Sequence, residues 1–594
     1  MDHDTDDERE EQITKLLEDR ACLTTRLCES PYDLIVYLER AGVHSDLGYP
    51  DLAAGDSYRA LLLCDAIRNE EEYGEEAQEA LEKQAQDGLP HVLSRYNRHG
   101  NLLASELQTI DLEDQPRSVS EMIHLASIRC YRTLAVSLLL CGCLKSAYEF
   151  CSRGLQNEPQ DRDLQQAHGY IMNIAKQKLG VEAVDVTQLP EEGLVRREIY
   201  PWNTHEPDRF SNETLSFLNE ELRAIGAKCE VKAVDLPVLS DNASTSSSGD
   251  HVSHQLGLFA TEDLEPGATV LEERSLLAAN NRLKEDLCDA CSTRFPPLDS
   301  PNSTVISCSE CDDITFCSPN CYELAHDTYH PAVCDKDIDA VAKDPKPEER
   351  TTALYILLLT RALAMAQTQE IHPLELKEIK YIYGDFLPSA RNAIPLRPAS
   401  PPPPIWTLPF SFNTNIAAPI HILEKMDVDI YADLETYDLW VLNTCYAKFR
   451  GTASARVNHK TGHPEVAAVH PLWCLANHDC DPNVQWEWNA KMRLWVRDER
   501  VMKSSGEVSR GGIKKGEEIF NHYCDIELPV KERREWARGP LGGLCMCGRC
   551  VREAADLERT SSNGVNGVNG VNGLALEASA GTEALDHDIV MGMD

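Results

Sequence analysis

Positive charge is scarce in this sequence. Across 594 residues, 57 lysines and arginines stand against 98 aspartates and glutamates, a formal net charge of −41 at pH 7. That balance argues against a general grip on nucleic acid, whose phosphates need a basic face, so no direct DNA binding is expected. The N-terminus, MDHDTDDEREEQ, lacks the positive start and apolar core of a secretory leader. Long hydrophobic runs are lacking too: the stretch from Ala353 to Leu359 stops at Thr360 and Arg361, far short of a bilayer span. The expectation is a soluble protein of the nucleus or cytoplasm with no membrane contact. In that reducing setting the 22 cysteines, where they cluster at short spacings, read as metal ligands and not as disulfides.

The chain is too long for one compact domain, and two to four folding units are expected. From about Glu8 to Lys178 the pattern is helical, with no strand-like alternation. Within it, Cys130 to Pro159 places Leu134, Ala135, Leu138, Gly142, Ala147, Cys151 and Gly154 where two antiparallel helices can approach closely. This stretch resembles one tetratricopeptide (TPR) repeat, with Leu52 to Ile67 as half of another; without three copies, an ordinary helical hairpin stays open. Strand-like pieces follow at Glu230 to Leu239, Gly257 to Ala260 and Thr269 to Glu272. A helix is expected over Thr351 to Gln367. The Pro398 to Pro404 stretch can hold neither helix nor central strand. From about Ser561 the chain repeats Asn-Gly-Val without a periodic apolar face, which predicts disorder.

Four short-spaced pairs crowd residues 288–334: Cys288 and Cys291, Cys308 and Cys311, Cys317 and Cys321, His330 and Cys334. A spacer of two or three residues lets both members of a pair reach one tetrahedral zinc, so eight ligands suggest two ions. A block this small has little core, and metal binding should drive its folding. His326 competes with His330 but lacks the short spacing to Cys334. The pattern resembles the MYND finger, which implies interleaved sets: Cys288, Cys291, Cys317 and Cys321 on one zinc, Cys308, Cys311, His330 and Cys334 on the other. Acidic residues Asp289, Asp299, Glu310, Asp312, Asp313, Glu323 and Asp327 face only Arg294 in this block, again against DNA.

A second group is dispersed. Asn477-His478-Asp479-Cys480-Asp481-Pro482-Asn483 is followed by Gly516-Glu517-Glu518-Ile519-Phe520-Asn521-His522-Tyr523 and then by Cys545, Cys547 and Cys550. Three close thiolates lack a fourth, and Cys480 can supply it, clamping the C-terminal segment over the Asn477 loop. Together with Gly257-Leu258-Phe259-Ala260-Thr261, this arrangement resembles the SET domain. The resemblance runs from about Cys229 to Arg552, with the finger inserted between the SET halves, as in SET-and-MYND lysine methyltransferases; the helices ahead of the core and the motif YPWNTHEPDR are similar to a fungal branch.

The resemblance implies an α+β multidomain chain. It has a TPR-like helical region (1–190), SET halves (229–287 and 456–530), a MYND finger (288–334) and a helical, proline-rich insertion (335–455). A post-SET zinc segment (531–556) and a disordered tail (557–594) complete it. It implies S-adenosylmethionine as cofactor, three structural zinc ions, and transfer of a methyl group to a lysine of a histone or other protein. Tyr523 would be catalytic; Gly257, Leu258, Asn477 and His478 would hold the cofactor, His478 chiefly through its backbone. Peptide partners are expected at the finger and the TPR-like helices, and the alternative is a catalytically weak adaptor using those surfaces. Three departures stand out: Gln255 where the family has glycine, Asp479 where it has serine, and only Leu541 or Leu544 where an adenine-stacking aromatic is usual.

Overall fold

The computed structural model describes residues 2–86, 90–93, 118–237, 252–282, 287–295, 304–311, 314–343, 345–383, 407–458, 462–489, 491–500, 509–541, 543–563 and 590–592. The Pro398 to Pro404 stretch lies outside them. The chain divides into two compact units, one containing residues 2–201 and Thr407–Asn443, the other residues 202–383 and 444–592.

The first unit is built on helices Asp2–Glu29, Leu34–Asp46, Pro50–Asn69, Gly74–Ala85, Val119–Cys141, Leu144–Asn157 and Arg162–Leu179. Their boundaries follow local chemistry. Asp33 accepts from the Ile35 and Val36 amides, Pro50 occupies the first turn of its helix, and Ser118 accepts from Glu121 N–H. Gly142 ends its helix at φ +89°, the left-handed cap that glycine adopts without strain. A Cβ on Gly154 would come within 2.8 Å of Tyr131 Cβ and 2.7 Å of Leu164 Cδ1, so its small size is what lets these helices pack. Helix Val119–Cys141 is long and apolar enough to cross a membrane by composition alone, and 56% of its apolar window is buried inside the protein.

The expected insertion at 335–455 does not stay together. Its Thr407–Asn443 part belongs to the helical unit: Thr407–Phe410 pairs antiparallel with Gly193–Arg196. Arg40, fully buried, donates to Asp56 (2.9 and 2.6 Å) and to Asp438 (3.1 Å). Removing one partner from such a buried set leaves an uncompensated charge, typically a loss of about 3–5 kcal/mol.

In the second unit, Cys229–Pro237, Val252–Ala260 and Glu518–Ile519 form a three-stranded sheet with Val252–Ala260 in the middle. Val484–Asn489, Lys491–Val496 and Thr269–Glu273 form a second sheet. Ala278–Asn280, Pro464–Val469 and Ala453–Val457 form a third. Alternation along Lys491–Val496 buries Met492, Leu494 and Val496, which join Leu218, Leu222, Val231, Leu258, Trp473 and Ile519 in one core. Helix Arg350–Thr368 packs on the third sheet and on the cysteine-rich segment 288–334, where Arg361 pairs with Asp289 at 2.9 Å and lies 3.5 Å from the Tyr329 ring centroid.

The tail differs from its expected course. Helix Gly548–Asn563 continues past residue 557, steadied by Arg549–Glu553 (2.8 Å) and Arg559–Asp556 (3.4 Å) ion pairs one turn apart. Val590–Gly592 pairs parallel with Ser454–Arg456. The intervening Asn-Gly-Val repeat lies beyond the described residues.

Candidate active site and metal clusters

The chain ties a knot around Asn477. Asn521 N–H donates to the Asn477 carbonyl (2.8 Å), and Asp479 N–H donates to the Asn521 carbonyl (2.9 Å). Asn483 closes the other side: its Nδ2 donates to the Glu518 carbonyl and its Oδ1 accepts from Phe520 N–H, both at 2.8 Å. Asp479 Oδ1 accepts from Asp481 N–H at 2.7 Å, so the aspartate that departs from the family pattern caps the turn as a serine would.

Tyr523 emerges from this knot. Its backbone N–H donates to His478 Nδ1 (3.0 Å), and its hydroxyl donates to the Ala476 carbonyl (2.9 Å). Because His478 Nδ1 accepts, the ring proton sits on Nε2, 3.3 Å from Cys480 Sγ. Burial holds His522 down to about 4, so its ring is neutral near pH 7, with Nδ1 donating to the Cys524 carbonyl (3.1 Å).

Gly257 faces the same knot. A Cβ there would lie 2.7 Å from Glu518 Oε1 and 3.0 Å from Asn477 Nδ2. Asn477 Nδ2 itself donates to the Leu256 carbonyl (3.0 Å) and to Glu518 Oε1 (2.8 Å). Burial raises the Glu518 carboxyl above its ordinary value, with Asn477 opposing. Leu258 is a core residue: its side chain is fully buried and its backbone is paired on both sides, by Val231 and Ile519.

Several contributors escaped the sequence reading. Asn483 and Glu518 stood inside recognised motifs without a role, because only the folded chain shows the strands they bridge. Glu273 carries no motif at all: fully buried, it accepts from the Leu472 (3.1 Å) and Trp473 (2.8 Å) amides and so shapes the approach to Asn477. Burial pushes its carboxyl up to about 7. Asn521 is wholly buried with neither side-chain polar atom bonded within the protein. Such a group is costly unless a polar partner meets it.

The twelve expected metal ligands fall into three tetrads: Cys288, Cys291, Cys317 and Cys321; Cys308, Cys311, His330 and Cys334; and Cys480, Cys545, Cys547 and Cys550. Within each, all ligand atoms lie within 4.8 Å of one another. Representative separations are 3.7 Å for Cys291–Cys317, 3.8 Å for Cys308–Cys334 and 3.9 Å for Cys480–Cys545. A tetrahedral Zn–S length of roughly 2.3 Å gives an edge of about 3.8 Å, so these donor sets fit zinc. His326 stands outside the tetrads, its ring 5.3 Å from that of His330. His478, Cys480 and Cys524 also cluster. A metal on His478 Nε2 would put the ring proton on Nδ1, where Tyr523 already donates. Leu541 and Trp536 pack against the third tetrad.

The SET domain family matches residues 255–524, which span Gly257, the whole knot and Tyr523. Histone-lysine N-methyltransferase SET5 of Candida glabrata is 21% identical over 443 residues, 67% of this chain and 77% of that protein. N-lysine methyltransferase SMYD2 of Gallus gallus is 28% identical over 93 residues, 16% of this chain and 19% of that protein. SET domain and MYND-type zinc finger protein 6 of Schizosaccharomyces pombe is 31% identical over 91 residues, 15% and 16% of the two chains. The family match covers the knot, and the chain is similar to relatives of both SET and SET-with-MYND type.

Proposed function

We propose that the protein transfers a methyl group from S-adenosylmethionine to a lysine of a histone or another protein, with Tyr523 at the reacting centre. The observation that carries this reading is the double anchoring of Tyr523, by its hydroxyl on Ala476 and its amide on His478, beside Asn477.

When bound, the cofactor supplies an electrophilic methyl group on a sulfonium. The residues of the chain do the rest. With its proton committed to the Ala476 carbonyl, the Tyr523 hydroxyl presents lone pairs. Those lone pairs can orient the lysine amine and stabilise the positive charge that spreads over the methyl hydrogens. Gly257 leaves a cradle that any Cβ would fill, and the unmet amide of Asn521 supports a polar molecule in the knot. Asn477 holds the cofactor through its side chain, and His478 through its backbone, since both its ring nitrogens are engaged.

In this reading the tetrads hold three zinc ions, none acting on substrate. The two in residues 288–334 make a MYND finger, and the third makes a post-SET clamp. A basic histone tail suits the chain's net charge of −41, and the histone-lysine relatives support action in the nucleus. The finger and the TPR-like helices are the surfaces for further peptide partners.

The test is transfer of label from the methyl group of S-adenosylmethionine to core histones and to a nuclear extract. Tyr523→Phe should lower the rate by about 100-fold or more. Equal labelling by both proteins, or no cofactor binding by the wild type, would overturn the reading.

A further inference from the structure

We propose that Cys524 is the resolving thiol of a peroxide-sensitive switch: oxidation joins it to Cys480, opens the C-terminal tetrad and draws Tyr523 off its anchors. The inference rests on the zinc and methyl-transfer reading above and adds a control to that same site.

A tetrahedral ion takes four donors, and the C-terminal cluster offers a fifth thiol. Cys480, Cys545, Cys547 and Cys550 make the tetrad. Cys524 stands outside it, yet the ligand atoms of Cys524, Cys480 and His478 lie within 4.8 Å of one another. The Cys524 thiol also hydrogen-bonds to Cys480. Among the described residues, neither tetrad of the segment 288–334 has such a spare thiol beside it.

The backbone keeps the pair together. His478 and Asn521 form a parallel bridge, so positions 480 and 524 lie just beyond one rung on segments that run the same way. Asn521 N–H on the Asn477 carbonyl and Asp479 N–H on the Asn521 carbonyl hold that register. A disulfide needs its sulfurs at about 2.05 Å, so from a separation of at most 4.8 Å the closure is under about 2.8 Å. Donors surround the sulfurs: His478 Nε2 lies 3.3 Å from Cys480 Sγ, and Arg533 Nη2 donates to Cys550 Sγ at 3.7 Å. Such surroundings favour the thiolate, the form that peroxide oxidises. Both Cys480 and Cys524 are buried, which selects a small oxidant, hydrogen peroxide, over a bulky disulfide.

The chemistry balances with one peroxide. The Cys480 thiolate attacks a peroxide oxygen, the O–O bond breaks, hydroxide leaves and a sulfenic acid remains. The Cys524 sulfur then attacks Cys480: the S–S bond forms, the S–O bond breaks, and the thiol proton leaves with the hydroxyl as water. Two sulfurs are oxidised and the peroxide is reduced. The tetrad is left with three donors. Because Cys524 follows Tyr523 directly, the same bond pulls the tyrosine from the Ala476 carbonyl and from His478. A thiol reductant reverses the change, since oxidation stops at the disulfide.

The experiment treats full-length, zinc-loaded protein with hydrogen peroxide in stoichiometric steps. Peptide mapping without reductant should recover Cys480 joined to Cys524. A colorimetric chelator should register one zinc per chain, with the others retained, and methyl transfer should fall by about 100-fold, the weight of a misplaced catalytic group. Dithiothreitol and added zinc should restore it. Cys524→Ser should start with the same zinc content and S-adenosylhomocysteine affinity, then release zinc roughly tenfold more slowly. A disulfide from Cys480 to Cys545, Cys547 or Cys550 would overturn the proposal, as would equal zinc release by Cys524→Ser. The map on wild type decides the matter even where that variant folds poorly. A wild type lacking zinc at the C-terminal tetrad from the start would overturn the metal reading, while the mapped bond would still decide the switch.

Discussion

The cysteine-rich segment 288–334, the proposed finger, and the C-terminal clamp gather similar donors for different ends. In the finger every ligand lies within residues 288–334, and each tetrad is assembled from short-spaced pairs. In the clamp, Cys480 meets Cys545 and Cys550 across 65 and 70 positions. A metal in the finger folds a local module. A metal in the clamp closes a long loop, and the clamp's first ligand is two residues from His478, whose ring touches both Cys480 and the Tyr523 amide. The finger instead meets the rest of its unit through ordinary contacts, Arg361 with Asp289 and Tyr329. Proximity to the knot, more than ligand number, should decide which metal matters to the chemistry.

The largest effect is expected from Cys480→Ser. Elemental analysis should show one zinc fewer, methyl transfer should fall by about 100-fold or more as Tyr523 loses its anchor, and limited proteolysis should release the C-terminal helix. Full activity with one zinc missing would break the comparison. Next comes Gly257→Ala, which leaves every metal site untouched. Its Cβ would press on Glu518 and Asn477, and overpacking of that kind costs about 1–3 kcal/mol, so cofactor affinity should drop roughly 10- to 100-fold in a binding titration. His330→Ala in the finger should remove one zinc while S-adenosylhomocysteine affinity stays within about threefold. A loss as deep as that of Cys480→Ser would mean that the finger also shapes the knot.

The smallest effect on turnover is expected from Glu273, which supports the turn leading into the clamp. Its folded pKa, about 7, lies above the ordinary 4.5. The native state therefore keeps a proton that the unfolded chain has lost, so the contribution is full below pH 4.5 and is lost as pH rises through 7. The difference is on the order of 3 kcal/mol. Urea unfolding between pH 5 and 8 should show this decline in wild type and a flatter profile in Glu273→Gln.

Much of the site was legible because short-range chemistry marks it. Cysteine pairs two or three residues apart, and the runs around Asn477 and Tyr523, announce themselves by spacing. The helix of Arg350–Thr368 and the strand of Thr269–Glu273 were legible from periodicity within a residue or so. What escaped depends on distant partners. Glu273 reads as one more acidic residue until Leu472 and Trp473 are folded against it. Thr407–Asn443 read as part of an insertion, yet Asp438 completes the buried charge set of Arg40.

The middle position of Val252–Ala260 bears on how this protein can be dissected. The SET match begins at residue 255, inside that strand, while all nine residues of Cys229–Pro237 pair along it. A fragment trimmed to the match would expose a raw sheet edge, with unpaired amides and carbonyls that invite another chain to add on. Expression fragments should therefore begin ahead of Asn212–Ala224, the helix whose Leu218 and Leu222 seal the same core.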